Sequence, residues 1–102
     1  MSIKTLSVIA RLKAKKGKED QLESALKAVL TPTRNEHGCL NYDLHVNSEN
    51  PGDFLFYENW ISASDLDRHL KSDHIIALQN QTAELLAEPV EIIRCWKIDN
   101  HS

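Results

Sequence analysis

The stretch Glu36-His37-Gly38-Cys39-Leu40-Asn41-Tyr42, answered by Phe54-Leu55-Phe56-Tyr57-Glu58-Asn59-Trp60, decides how this chain reads. Over residues 39–46, Leu40, Tyr42, Leu44 and Val46 alternate with other residues, the period of a strand. Asn50-Pro51-Gly52-Asp53 is a strong turn signal. A strand over 54–60 follows at once, so the two strands form a hairpin. On that second strand Phe54, Phe56, Glu58 and Trp60 share one face, and Leu55, Tyr57 and Asn59 the other. A carboxylate and an indole on an apolar face are costly to bury without partners. The cluster therefore marks a polar network or a ligand site, and His69 on the next helix is placed to join it.

Outward from the hairpin, the same reading extends to both ends. Residues 3–13 alternate Leu6, Val8, Ala10 and Leu12 against Thr5, Ser7, Ile9, Arg11 and Lys13, a first strand. Gly17 ends the following turn. Leu22, Ala25, Leu26, Val29 and Leu30 make 18–30 an amphipathic helix, with Glu19 and Asp20 in the first turn and Pro32 at its end. After the hairpin, Ser62 and Asp65 form a capping-box-like pair. They open a helix with Leu66, His69 and Leu70 on one face. Ser72-Asp73 interrupts it, and a second segment is expected over 74–87, ended by Pro89. Residues 90–98 form the fourth strand, and 99–102 read as a disordered tail.

Length and composition restrict the function classes. At 102 residues the chain fits one domain, 1–102, with its core over about 5–98. Its 41% apolar and 26% charged content is that of a globular protein. A net charge of −3 and the lack of a basic stripe argue against nucleic acid. Lys13, Lys15, Lys16 and Lys18 around Gly17 read as a solvated turn. No apolar run reaches the ~20 residues of a membrane span, and Met1-Ser2-Ile3-Lys4-Thr5 does not read as a signal peptide, so a cytoplasmic protein is expected. Cys39 and Cys95 lack metal-type or redox spacing and are expected to be free thiols.

The order β-α-β-β-α-β defines a ferredoxin-like α+β fold with an antiparallel sheet. Two helices cover one sheet face only. Ile9, Leu55, Tyr57 and Ile93 place apolar side chains on the other, and an exposed apolar face on so small a domain calls for a partner. A second copy of the chain, sheet against sheet, is the most economical one.

These residues resemble the antibiotic biosynthesis monooxygenase family of small dimeric α+β barrels. The resemblance runs over roughly residues 5–96. It rests on Glu36-x-Gly38-Cys39-x-x-Tyr42, on Pro51-Gly52-x-Phe54-x-Phe56-x-Glu58-x-Trp60, and on Leu66-x-x-His69. It implies a homodimer and a cofactor-independent monooxygenase that uses dioxygen on a small quinol or hydroxylated aromatic. The family also includes heme-degrading enzymes and an enzyme acting on a phosphorylated autoinducer-2 signal. The heme-degrading branch pairs a strand-one Asn with a strand-three Trp and an iron-binding helical His. Trp60 matches the Trp, but Thr5 to Lys13 contains no Asn.

The candidate catalytic residues are His69 and Glu58. Imidazole titrates near neutrality and can take a proton from a phenol-like hydroxyl. A buried Glu58 must be paired or protonated, and is expected to orient His69 or to hold a substrate hydroxyl. Trp60, Tyr42, Phe56 and His74 are the candidate substrate contacts. Each also has a structural reading: His69 bonded to Glu58 in the core, Trp60 and Tyr42 as ordinary core, and His74 as a surface group at a helix start. His69 and His74 are five apart across a helix break, a poor spacing for metal ligands, so no metal is expected. No flavin, nucleotide or Ser-His-Asp pattern is present. An isomerase for a small phosphorylated signal molecule and a non-enzymatic dimeric ligand-binding module are the competing readings.

Overall fold

The computed structural model describes residues 5–99, and the expectations placed on residues 3–4 and 100–102 lie outside them. The elements run β1 (Leu6–Lys13), α1 (Glu19–Ala28), α2 (Leu30–Arg34), β2 (Cys39–Asn47), β3 (Asn50–Trp60), α3 (Ala63–Leu70), α4 (Asp73–Thr82) and β4 (Glu91–Trp96). The helix expected over 18–30 is split into α1 and α2, and the expected interruption at Ser72-Asp73 separates α3 from α4. The strands form one antiparallel sheet in the order β2-β3-β1-β4, the ferredoxin-like arrangement.

Register assigns the two sheet faces. Leu6, Val8, Ala10 and Leu12 lie opposite Trp60, Glu58, Phe56 and Phe54 of β3. Tyr42, Leu44 and Val46 of β2 continue that face beside Glu58, Phe56 and Phe54. The four β1 residues, the three aromatics of β3 and Tyr42 are all buried. The helices close the face with Leu22, Ala25 and Leu26 of α1, Leu66 of α3, and Ile75 and Leu78 of α4. Burying one such leucine stabilises by roughly 1.5–3 kcal/mol before entropy is counted.

Three boundaries differ from the expectation, each for a local reason. Pro32 does not end a helix but sits third in α2, in a first turn where its missing N–H is not needed. The Asn50-Pro51-Gly52-Asp53 segment belongs to β3 rather than to the turn, which falls at Ser48-Glu49. The carbonyl of Gly52 accepts from the amide of Ala14 at 2.8 Å, which carries the β1 ladder past Lys13. Asp53 is held by two bonds from the Arg11 guanidinium, at 2.6 and 2.9 Å, and one from Asn47 at 3.0 Å. Finally, α4 stops at Thr82 instead of running to 87. The backbone beyond it is taken by the end of β1: the amide of Lys15 donates to Leu85 at 2.8 Å and that of Ala87 to Lys13 at 2.8 Å. That extension outcompetes another helical turn.

β4 is the exception to the burial pattern. All six of its residues are exposed, with Ile92, Ile93 and Trp96 each 45–52% exposed. Among the described residues it pairs only with β1, at one edge of the sheet. On the uncovered face, Tyr57 is also exposed, while Ile9 and Leu55 are half-buried. Among the described residues, no helix is long and apolar enough to cross a membrane.

Candidate functional site

The site is assembled by the loop before β2 meeting the break between α3 and α4. Ser62 caps α3, accepting from the amide of Asp65 at 3.2 Å while its hydroxyl donates to the Asp65 carboxylate at 2.9 Å. Asp65 lies directly against Gly38, where a Cβ would stand 2.2 Å from its carboxyl carbon. Gly38 also has φ +86°, a left-handed conformation that favours glycine. This close approach, with a bond from the amide of Ile61 to the Gly38 carbonyl at 2.9 Å, fastens the loop to the start of α3. Glu36, two residues earlier, is thereby aimed at the other end of that helix.

There Glu36 meets two histidines. Its Oε2 lies 2.7 Å from Nδ1 of His69 and 2.9 Å from Nε2 of His74. Ser72 settles the proton positions on His74. Its hydroxyl donates to the His69 carbonyl at 2.6 Å, so at 3.3 Å from Nε2 of His74 it can only accept. Nε2 of His74 therefore carries a proton and shares it between Ser72 and Glu36. With Glu36 ionised, Nδ1 of His69 is likewise the donor. Nε2 of His69 is then the basic nitrogen, and it makes no hydrogen bond among the described residues. Burial holds the His69 imidazole below its ordinary pKa, opposed by its bond to Glu36 and by the Glu36 charge.

Glu58 takes a different partner from the one expected. The Glu58–His69 bond is replaced by a bond from Nε1 of Trp60 to Oε1 of Glu58 at 2.9 Å, and Glu36 occupies the imidazole instead. The reason is strand geometry: Glu58 and Trp60 are two residues apart on one face of β3, so they meet with no tertiary rearrangement. Burial drives the Glu58 carboxyl up to about 7, opposed by the Trp60 bond and reinforced by the nearby Glu36 charge. Its second oxygen makes no hydrogen bond among the described residues.

Glu58 and His69 both line a cavity of about 130 Å³ between sheet and helices. Tyr42 and Phe56 form one wall, stacked with ring centroids 4.6 Å apart, and Tyr42 meets His69 edge-on at 5.4 Å. Burial, with the Glu58 charge, pushes the Tyr42 phenol well above its ordinary range. The remaining wall is almost wholly apolar, from Val8 and Leu12 of β1 to Ile75 and Leu78 of α4, and it ends at Val90 and Ile92 beside the uncovered strand.

Four of the six expected site residues, His69, Glu58, Tyr42 and Phe56, thus share one cavity. Trp60 does not line it. It is fully buried, with its ring 4.7 Å from that of His69. His74 does lie at a helix start, in the first turn of α4, but its side chain is only partly exposed and its ring faces Glu36. Glu36 is the member without an assigned role in the sequence reading. Its signal lay in the glycine two residues on, which marks a backbone that must pass close to something. Cys39 is half-buried with its thiol pushed up to about 11 by burial and by Glu36 and Glu58, so it is not a reactive thiolate.

An antiparallel β2-β3-β1-β4 sheet, helices over one face, and a carboxylate–imidazole pair at an apolar cavity define a small ferredoxin-like α+β protein. The sequence pattern described as antibiotic biosynthesis monooxygenase matches residues 5–81. The chain belongs to that family, and membership supports a general monooxygenase role. It is 34% identical over 97 residues to Rv0793 of Mycobacterium tuberculosis, covering 95% of each chain. The structure of Rv0793 superimposes with a TM-score of 0.90 over 96% of this chain and 99% of that one. PA3566 of Pseudomonas aeruginosa superimposes with a TM-score of 0.91 at 30% identity, over 97% of this chain and all of that one. A conserved protein of Methanosarcina mazei Go1 does so with 0.88 at 27% identity, over 94% and 95%.

Proposed function

We propose that the protein is a cofactor-independent monooxygenase acting on a small quinol or hydroxylated aromatic, with dioxygen as co-substrate. The observation that carries this reading is the cavity. Its wall is apolar and aromatic, with the titratable side chains Glu58, His69 and the phenol of Tyr42 placed on it. A volume of about 130 Å³ is close to the roughly 150 Å³ of a cavity that takes benzene. One aromatic ring is therefore the fitting size.

In this reading Nε2 of His69 takes the proton of the substrate hydroxyl, and Glu36 stabilises the imidazolium that forms, the role of the carboxylate in hydrolase triads. Glu58 holds a second polar atom of the substrate, as donor when protonated and as acceptor when ionised. The electron-rich anion passes one electron to dioxygen, and the radical pair recombines into a carbon–oxygen bond, giving a ring hydroperoxide. Loss of water then leaves the quinone. One oxygen atom of dioxygen enters the ring and the other leaves as water, with all four electrons supplied by the substrate.

The isomerase reading is disfavoured by charge. Among the described residues no Lys or Arg lines the cavity, and an ionised Glu58 would repel a phosphorylated ligand. The test is oxygen uptake by protein freed of metal, with a panel of one-ring and two-ring quinols. Acceleration over the buffer rate, with one labelled oxygen atom in the product, is expected. Turnover that persists without oxygen would favour the isomerase, and ligand-induced melting shifts without product the binding module.

The same proposal includes a homodimer. Ile93 of β4 and Tyr57 of β3, which both lie opposite Ile9 of β1, are exposed on the uncovered face, while Ile92 and Trp96 are exposed on the cavity face at its Ile92 end. A second copy laid against the sheet would cover the uncovered apolar face. An interface of about 800 Å² per partner is the usual size for a stable pair.

A further inference from the structure

Glu36, His69 and His74 form a cluster that acid–base chemistry does not fully use. One Oε2 serves two imidazole nitrogens at 2.7 and 2.9 Å, and the three donor atoms lie within 4.8 Å of one another. In a tetrahedral zinc site with bonds of about 2.1 Å, neighbouring ligand atoms stand about 3.4 Å apart. An ion entering this cluster needs the carboxylate to withdraw by about half an ångström and the two imidazoles to adjust. His74 can do so: it is the second residue of α4 and its side chain is 24% exposed, whereas His69 is held at 3% by the core. The helix break at Lys71-Ser72 makes a five-residue separation work, because it turns the second histidine back towards the first.

We propose that Glu36, His69 and His74 bind a divalent first-row transition ion, through Oε2, Nδ1 and Nε2 respectively. Two imidazoles and one carboxylate suit Zn²⁺ or Fe²⁺ and leave coordination positions for water, whereas Mg²⁺ and Ca²⁺ prefer oxygen donors alone. The site is separate from the cavity wall, of which only His69 is a member. Binding has a chemical consequence there. An ion on Nδ1 of neutral His69 moves the ring proton to Nε2, so the nitrogen available to a substrate becomes a donor instead of a base. The ion therefore switches the chemistry of the cavity as well as occupying a site of its own.

Co²⁺ is the probe, titrated into the whole protein after chelator treatment at about pH 7.5, where unperturbed imidazole is mostly neutral. One equivalent per chain is expected, with visible d–d absorption that Zn²⁺ abolishes and Mg²⁺ does not. His74→Ala and Glu36→Gln should each weaken binding at least about tenfold. His45→Ala, on the other sheet face, should bind like the native protein. His74→Ala alters a partly exposed side chain, and its circular dichroism and melting are compared with native, so lost binding is separated from lost folding. Co²⁺ spectra unchanged from buffer, or affinity unaffected in both site variants, overturn the proposal. Because the readout is absorption, the result stands whether or not the protein turns over quinols.

Discussion

Nδ1 of His69 and Oε2 of Glu36 stand 2.7 Å apart although 33 residues separate them in sequence. The pair joins the C-terminal end of α3 to the loop before β2, and it leaves only Nε2 of His69 for a ligand. His69 is 2% exposed, so this contact is made inside the core, where a carboxylate acts on an imidazole with little solvent screening.

Replacing Glu36 by Gln should reduce the turnover number about 10–100-fold, and His69→Ala about 10²–10⁴-fold. The pH profile separates positioning from structure. Glu36 raises the His69 pKa against the effect of burial, so its neutralisation moves the acid limb of the rate profile to lower pH while the plateau falls. Oxygen uptake measured as a function of pH in both proteins is the check. An unmoved acid limb would show that Glu36 does not act on His69.

Glu58→Gln should stabilise the protein at alkaline pH. The folded pKa of about 7 lies above the unfolded value of about 4.5, so the folded state holds its proton over that window and the unfolded state does not. The native protein therefore carries this contribution in full below about 4.5 and loses it as pH rises through about 7. The difference in favour of Gln should be on the order of 2–3 kcal/mol at pH 8 and close to zero at pH 4. Thermal melts of both proteins across that range test the sign. A constant difference would place the effect elsewhere than the carboxyl group.

Gly38→Ala should cost about 1–3 kcal/mol from the positive φ alone. The added Cβ must also displace the Asp65 side chain, which loosens the cap of α3 and the aim of Glu36. Urea unfolding is the measurement, with a fall in turnover larger than the loss of folded protein. An unshifted midpoint would mean that the loop is not fastened as described.

Tyr57→Asp should yield monomer or insoluble protein, because it puts an unpaired charge at the centre of the proposed interface. Sedimentation equilibrium at micromolar concentration is decisive. A native chain that sediments as a monomer would remove the dimer, whereas a Tyr57→Asp dimer would move the interface to another face.

Much of the architecture was legible from periodicity. Leu6, Val8, Ala10 and Leu12 alternate so regularly that only one register buries them all, and Ser62 with Asp65 announced the start of α3 to the residue. The helix ends were less legible. The alternation of apolar residues past Thr82 suits a helix, but the open end of β1 offered that backbone stronger partners, at Lys13 and Lys15. At the other end of the hairpin, Asp53 reads as a turn residue until Arg11 is seen to bind it.

The chain by itself determined that Glu58 and Trp60 would share a face with Phe54 and Phe56, and that His69 would lie beneath Leu66. These follow from periods of two and 3.6, which are local properties of the backbone. Only the tertiary structure decided that Glu36, not Glu58, holds His69, and that His74 joins them. The outcome depends on a left-handed glycine packed against Asp65 and on a helix break that reverses the direction of a side chain. Neither the distance between two loops nor the turn of a broken helix is encoded in residue spacing, because both are set by how the helices settle on the sheet.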